Sequence, residues 1–217
     1  MKLEINISGK NLSGTNSSET NVPEISKVVL LQLASKSPRR RELLAQLGVN
    51  FSLVDVDVPE VKALGETPED YVLRLAQDKS LAGFNAAPGL PTLGADTVVS
   101  CAGEILEKPR DRDHGVAMLA LLSGREHSVI SAIAINDSHQ QMSAISETRV
   151  HFREISEQQA ERYWATNEPC DKAGGYAIQG CGAVFVTHIV GSYSAVVGLP
   201  IEKLYPMLNV FDIPFWT

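Results

Sequence analysis

The first sustained apolar run is Val28-Val29-Leu30-Leu31-Gln32-Leu33, which predicts a buried β-strand. It gives way to small hydroxyl residues and then to Ser37-Pro38-Arg39-Arg40-Arg41. Ser37 suits an N-cap and Pro38 the first helical position. Leu43, Leu44 and Leu47 give that helix an apolar stripe, and Gly48 a stop. Phe51 to Val58 alternates apolar with polar and predicts a second strand. Thr67-Pro68-Glu69-Asp70 starts a second helix, with Val72, Leu75, Ala76 and Lys79 along one face. A loop over Asn85 to Gly89 leads to a strand over Thr92 to Val99. Ala102-Gly103 predicts a hairpin turn into Glu104 to Glu107. Further on, the pattern predicts a helix over Asp113 to Leu122 and strands over Val129 to Ile135 and Met142 to Phe152. A helix over Ser156 to Ala165, a strand over Ala183 to Ile189 and a last helix over Pro200 to Leu208 follow. Strands and helices interleave throughout, so the fold class is α/β.

Composition narrows the picture. Residues from about Ile7 to Ser26 are rich in Ser, Asn, Gly and Thr, which predicts a flexible extension over 1–26, a single domain over 27–210 and a tail over 211–217. The 217 residues are 44% hydrophobic and 21% charged, enough for a sizeable core. A net charge of -7 argues against a nucleic-acid polymer as partner, but not against a small nucleotide, which needs only a few local cations. Cys101, Cys170 and Cys181 show no C-x-x-C spacing, and Met1 to Asn6 lacks the apolar stretch of a secretory signal. Both point to a reducing, cytoplasmic setting. No apolar run reaches membrane-spanning length. The five histidines lack H-x-x-x-H or H-E-x-x-H spacing, which disfavours a His-ligated zinc.

Three local features carry candidate chemistry. Arginines in the first turn of a helix oppose its dipole by about 0.3–1 kcal/mol each, a conflict that an anion bound there would remove. Asp96 sits inside an apolar strand and needs a cation, a metal or a water to activate. The hairpin after it could bring Lys108 close to Asp96. Lys79, in line with a core-facing stripe, either snorkels at the rim or reaches an anion in a cleft. The third feature is the run Glu168 to Gly180, whose glycines allow close backbone approach or sharp turns and whose Gln179 offers both a donor and an acceptor. The P-loop and dinucleotide glycine signatures are absent.

Five blocks, in order, resemble the Maf family of nucleoside triphosphate pyrophosphatases. They are Ser35-Lys36-Ser37-Pro38-Arg39-Arg40, Gly94-Ala95-Asp96-Thr97-Val98-Val99, Lys108-Pro109, Asp171 to Gly180, and Gly191-Ser192-Tyr193 with Val196 to Pro200. The resemblance spans about Val28 to Leu208. It implies an elongated, two-lobed α/β fold with a mixed curved sheet and a central cleft, similar to the inosine triphosphatase architecture. It implies hydrolysis between the α- and β-phosphates, assisted by magnesium or manganese, that gives a nucleoside monophosphate and pyrophosphate. Asp96 matches the general base, and Glu60 and Asp96 match the metal side, although the chain offers Asp57 as a second candidate where the family more often has an acidic pair. Ser35, Arg39 and Arg40 match the phosphate loop, and Lys79 and Lys108 the phosphate-facing lysines. Arg39, Thr97 and Gln179 match the dTTP/UTP subgroup; the 7-methylguanosine subgroup tends to carry Trp, Gln and Glu there. Arg41 matches no role and is expected to be a solvated surface charge. The resemblance further implies a homodimer and a role in removing unwanted nucleotides, with no nucleic-acid polymer or membrane as partner. Two alternatives stay open: a nucleotide-binding regulator of cell division or septum formation, and the same reaction on 7-methyl-GTP or other purine nucleotides.

Overall fold

A computed structural model describes residues 29–216. The expected extension over 1–26 lies outside the described residues. The first strand, β1, is Leu31–Ala34, all four residues buried. The chain then enters α1, Pro38–Gln46, with Pro38 at its start and Gly48 at φ 71° just beyond its end. Ser37 occupies the N-cap position, but its side chain makes no capping bond; Ser35 Oγ accepts the Ser37 N–H instead, at 3.2 Å.

Seven strands form one mixed sheet with the order β2-β1-β3-β5-β6-β7, and β4 added to β3. They are β2 (Phe51–Leu53), β3 (Thr92–Cys101), β4 (Glu104–Leu106), β5 (Glu126–Asn136), β6 (Gln141–Phe152) and β7 (Val186–Val190). The β1 pairings are parallel and the rest antiparallel. The remaining helices are α2 (Pro68–Ala86), α3 (Arg112–Leu122), α4 (Glu157–Trp164), α5 (Tyr193–Val197) and α6 (Ile201–Val210).

Several boundaries differ from expectation, for physical reasons. The strand expected over Phe51 to Val58 pairs only through Leu53, because its partner β1 is four residues long. Val54 donates a last bond to the Leu33 carbonyl, and beyond it the chain has nothing to pair with. Alternation persists without the ladder: Val54, Val56 and Val58 are half-buried while Asp55 and Asp57 are exposed. β7 starts late because residues 181–185 form a tight 3-10 turn whose Cys181 and Gly182 N–H groups donate to Glu168. α5 is absent from the sequence expectation; Ser192 caps it by accepting the Ala195 N–H, and Gly198 ends it at φ 122°. The segment after α6 is partly core, with Phe211 and Ile213 buried.

The apolar interior forms three clusters. Leu31, Leu44, Leu93 and Leu204 bury α1 and α6 against one face of the sheet. Tyr71, Val72, Leu75 and Ile130 bury α2. Leu119, Leu122, Val150 and Tyr163 bury α3 and α4. Each cluster gives a residue to the wall of one cleft: Val197, Val98 and Tyr176.

Candidate active site

The cleft, about 600 Å³, opens where the sheet parts company with β1. From β1 the chain runs through α1 to β2 on one side, then through α2 to β3 on the other. That is a topological switch point, and open α/β sheets bind ligands beyond the carboxyl ends of such strands. Register sharpens the placement. Ala34, the last residue of β1, pairs with Gly94, so Asp96 lies two residues past the shared ladder, beside the loop leaving β1.

Successive residues of β3 face opposite sides of the sheet. Gly94 lies against α2 so closely that a Cβ there would stand 2.2 Å from the Ala76 carbonyl oxygen. Asp96, on the same face, meets Lys79 one helical turn further along α2, with Nζ 2.7 Å from Oδ1. Both side chains are 12% exposed. The same ammonium reaches Glu60 Oε1 at 2.6 Å, and Lys108 Nζ lies 3.9 Å from Glu60 Oε2. Burial pushes the Glu60 carboxyl up, but the hydrogen bond and charge of Lys79, aided by Lys108 and Arg40, outweigh it and leave the group below its ordinary value. The hairpin does bring Lys108 into the cleft that Asp96 lines, and the carboxylate it pairs with there is Glu60. Glu60 lines the cleft, whereas Asp57 is exposed outside it.

Thr97, on the opposite face, belongs to a different network. Arg40 donates from Nε to the Gly198 carbonyl at 2.8 Å, from one terminal nitrogen to Ser35 Oγ at 3.1 Å, and from the other to Thr97 Oγ1 at 3.3 Å. Thr97 Oγ1 also pairs with Ser131 Oγ, which donates to the Ala195 carbonyl. Burial pushes the Arg40 guanidinium down, Asp96 opposes this, and Arg39 adds to it.

The three arginines of α1 thus have three fates. Arg40 ties α1 to β3 and to the end of α5. Arg41 is half-buried: its outer nitrogen donates to the Lys36 carbonyl at 3.0 Å at an exposed position, while its Nε is buried with no partner among the described residues, so the charge is only partly solvated. Arg39 faces the cleft and makes no hydrogen bond or ion pair among the described residues. Gln179, also in the cleft wall, is exposed and likewise makes no hydrogen bond among the described residues.

The Maf-like protein family model matches residues 30–211, nearly all of the described chain. The chain belongs to the Maf family. A dTTP/UTP pyrophosphatase of Saccharophagus degradans is 53% identical over 190 residues, covering 86% of this chain and 90% of that protein. One of Vibrio parahaemolyticus is 47% identical over 188 residues, covering 86% and 100%. Another, of Photorhabdus laumondii, is 52% identical over 182 residues, covering 83% and 93%.

All nine residues singled out in this Maf chain line the same cleft: Ser35, Arg39, Arg40, Glu60, Lys79, Asp96, Thr97, Lys108 and Gln179. Sequence reasoning missed two of their neighbours. Tyr71 Oη donates to Glu107 Oε1 at 3.1 Å from the cleft wall, and burial followed by the Glu107 carboxylate raises its pKa. Lys172 pairs with Asp171 and donates to the Glu168 carbonyl at 3.2 Å. Tyr71 reads as plain core in a helical stripe, so nothing in the pattern signals its polar end. The glycine-rich run is shaped by packing: Gly174, at φ 71°, sits against Val99 and donates to the Glu107 carbonyl. Glu168 organises the far side of that run. It accepts from Tyr163 Oη at 2.7 Å and from the Cys181 and Gly182 N–H groups at 2.8 and 2.9 Å.

Proposed function

We propose that the chain hydrolyses dTTP and UTP to the nucleoside monophosphate and pyrophosphate, with Asp96 as general base. The observation that carries this reading is the pairing of opposites in one cleft. A nearly buried carboxylate on β3 is held by an ammonium on α2, and Arg39, which makes no hydrogen bond or ion pair among the described residues, lines the same cleft. Phosphoanhydride cleavage requires charge neutralisation, positioning and a base rather than a covalent intermediate. Arg39 and Lys108 are the cations least committed to the protein, so they meet the phosphates first. Lys79 sits between Glu60 and Asp96 and fixes Asp96 Oδ1, which leaves Oδ2 to accept a proton from water. Ser35, Arg40 and Thr97 hold the loop in place while their outer surfaces remain in the cleft wall. Arg39, Thr97 and Gln179 carry the residue types of the dTTP/UTP subgroup, and the relatives named above are called dTTP/UTP pyrophosphatases.

A divalent cation fits the donor set on one condition. Among the described residues no cluster of three or more His, Cys, Asp or Glu side chains could hold a metal alone. Magnesium, however, is commonly bound by one or two carboxylates together with substrate phosphates and water. Glu60 and Asp96 are the two carboxylates that would hold it, and it would supply neutralisation of phosphate charge. Turnover is then expected to stop on chelation with EDTA and to return with added magnesium or manganese.

The reading is tested by measuring products and rates over a panel of dTTP, UTP, 7-methyl-GTP and the common purine triphosphates. Pyrophosphate release fastest from dTTP and UTP is expected. Faster turnover of 7-methyl-GTP would place the chain in the other subgroup, and nucleotide binding without turnover would favour a regulatory role in division. A homodimer in the cytoplasm is part of the same proposal, checked by sedimentation and fractionation.

A further inference from the structure

Six cationic side chains and four carboxylates line the cleft: Lys36, Arg39, Arg40, Lys79, Lys108 and Lys172 against Glu60, Asp96, Glu107 and Asp171. Arg40, Lys79 and Lys172 are held by partners in the wall, whereas Arg39 and Lys108 are the least committed. Lys36 is different. It lies between Ser35 and Ser37 in the loop leaving β1, and its side chain is 76% exposed. Its ammonium is drawn 3.0 Å from Asp55 Oδ1, on the extended segment after β2, and Asp55 is itself 74% exposed. That hydrogen bond and the charge of Asp55, with Asp57 adding a smaller share, raise the ammonium's pKa, so Lys36 is cationic at neutral pH. The backbone beneath it is anchored, because Arg41 donates to the Lys36 carbonyl and Ser35 Oγ accepts the Ser37 N–H.

We infer that Lys36 is an additional phosphate-binding cation of the cleft, parked on Asp55 in the free protein and transferred to the phosphate chain of the bound nucleotide. This deepens the proposed nucleotide reading and rests on it for the identity of the substrate. An exposed ion pair is weakly held, so exchanging one carboxylate partner for a more highly charged polyphosphate is favourable. The anchored loop fixes where the flexible stem starts, and the stem supplies the reach. Asp55 then acts as a competitor of the substrate. The two residues therefore have opposite effects on affinity, which a merely structural ion pair would not produce.

The experiment measures two quantities in parallel on the full chain, at low salt and at high salt. One is the KM and kcat for UTP; the other is the calorimetric Kd of inorganic pyrophosphate. Lys36→Met is expected to raise both KM and Kd about fivefold at low salt, with kcat little changed, and Lys36→Arg to restore most of the affinity. Asp55→Asn is expected to lower both by about twofold, and all of these effects are expected to shrink at high salt. Shifts in the same direction for Lys36→Met and Asp55→Asn, or no shift in pyrophosphate binding for either, would overturn the inference. Because pyrophosphate binding needs no turnover, a wild type that binds it but leaves UTP intact would fail the nucleotide reading and still decide the role of Lys36.

Discussion

Lys79 has its charge satisfied by the protein before any nucleotide arrives. Its ammonium lies 2.6 Å from Glu60 and 2.7 Å from Asp96, and it is nearly buried. Removing it leaves Asp96 without its counter-charge in an apolar strand, so Lys79→Met is expected to cost about 3 kcal/mol or more of stability, read as a lower urea midpoint. His127 gives a second expectation at this scale. It is buried, with Nε2 2.8 Å from Tyr176 Oη and an Nδ1 that has no hydrogen-bond partner among the described residues. Burial, with a contribution from His151, lowers its pKa from 6.5 to about 4. The unfolded chain therefore takes up this proton first. Stability from neutral His127 is full above pH 6.5 and falls as the pH drops towards 4, by at most about 1.4 kcal/mol per pH unit. Urea titrations across that window are expected to show this slope, and His127→Gln to lack it. The sequence made Asp96 conspicuous because a carboxylate interrupts an apolar run. It could not separate Arg39 from Arg40 and Arg41, because what distinguishes them is the distant Thr97 and Gly198 and a turn of backbone at Lys36.

The elements were legible wherever local periodicity and caps agree. α2 begins at Thr67, whose Oγ1 accepts the Asp70 N–H, and runs along the stripe that carries Lys79. Ala102-Gly103 makes the hairpin turn that its residue types suggest, with φ of 52° and 84°. Elements were misread where a non-local partner decides them. β2 ends early because β1 is short, and β7 starts late because Glu168 draws residues 181–185 into a turn. Packing between elements also sets the site. Gly94 allows β3 to lie directly on α2, and a methyl group there would press on the Ala76 carbonyl and the Ser80 N–H. Gly94→Ala is therefore expected to destabilise the fold by about 1–3 kcal/mol, and to reduce activity further by moving Lys79 away from Asp96. Thermal unfolding beside a rate measurement separates the two losses.

At the scale of the molecule, the order β2-β1-β3 places a crevice at the end of the short buried strand β1, and stretches from many parts of the chain supply its walls. The pattern of apolar positions predicts the α/β class without this crevice, since strand order depends on which edges pair. The recurrence of five motif blocks locates the site residues, and the sheet explains why residues as far apart in the chain as Arg40 and Gly198 converge. On the proposed reading, Asp96, held by Lys79 in that crevice, drives release of pyrophosphate from a pyrimidine triphosphate. The most direct test follows UTP and magnesium with the wild type and with Asp96→Asn, separating UMP, pyrophosphate and orthophosphate. UMP and pyrophosphate in equal amounts are expected from the wild type, and turnover lost from a variant that remains folded. Orthophosphate as the first product, or near-normal pyrophosphate release by Asp96→Asn, would contradict that reading.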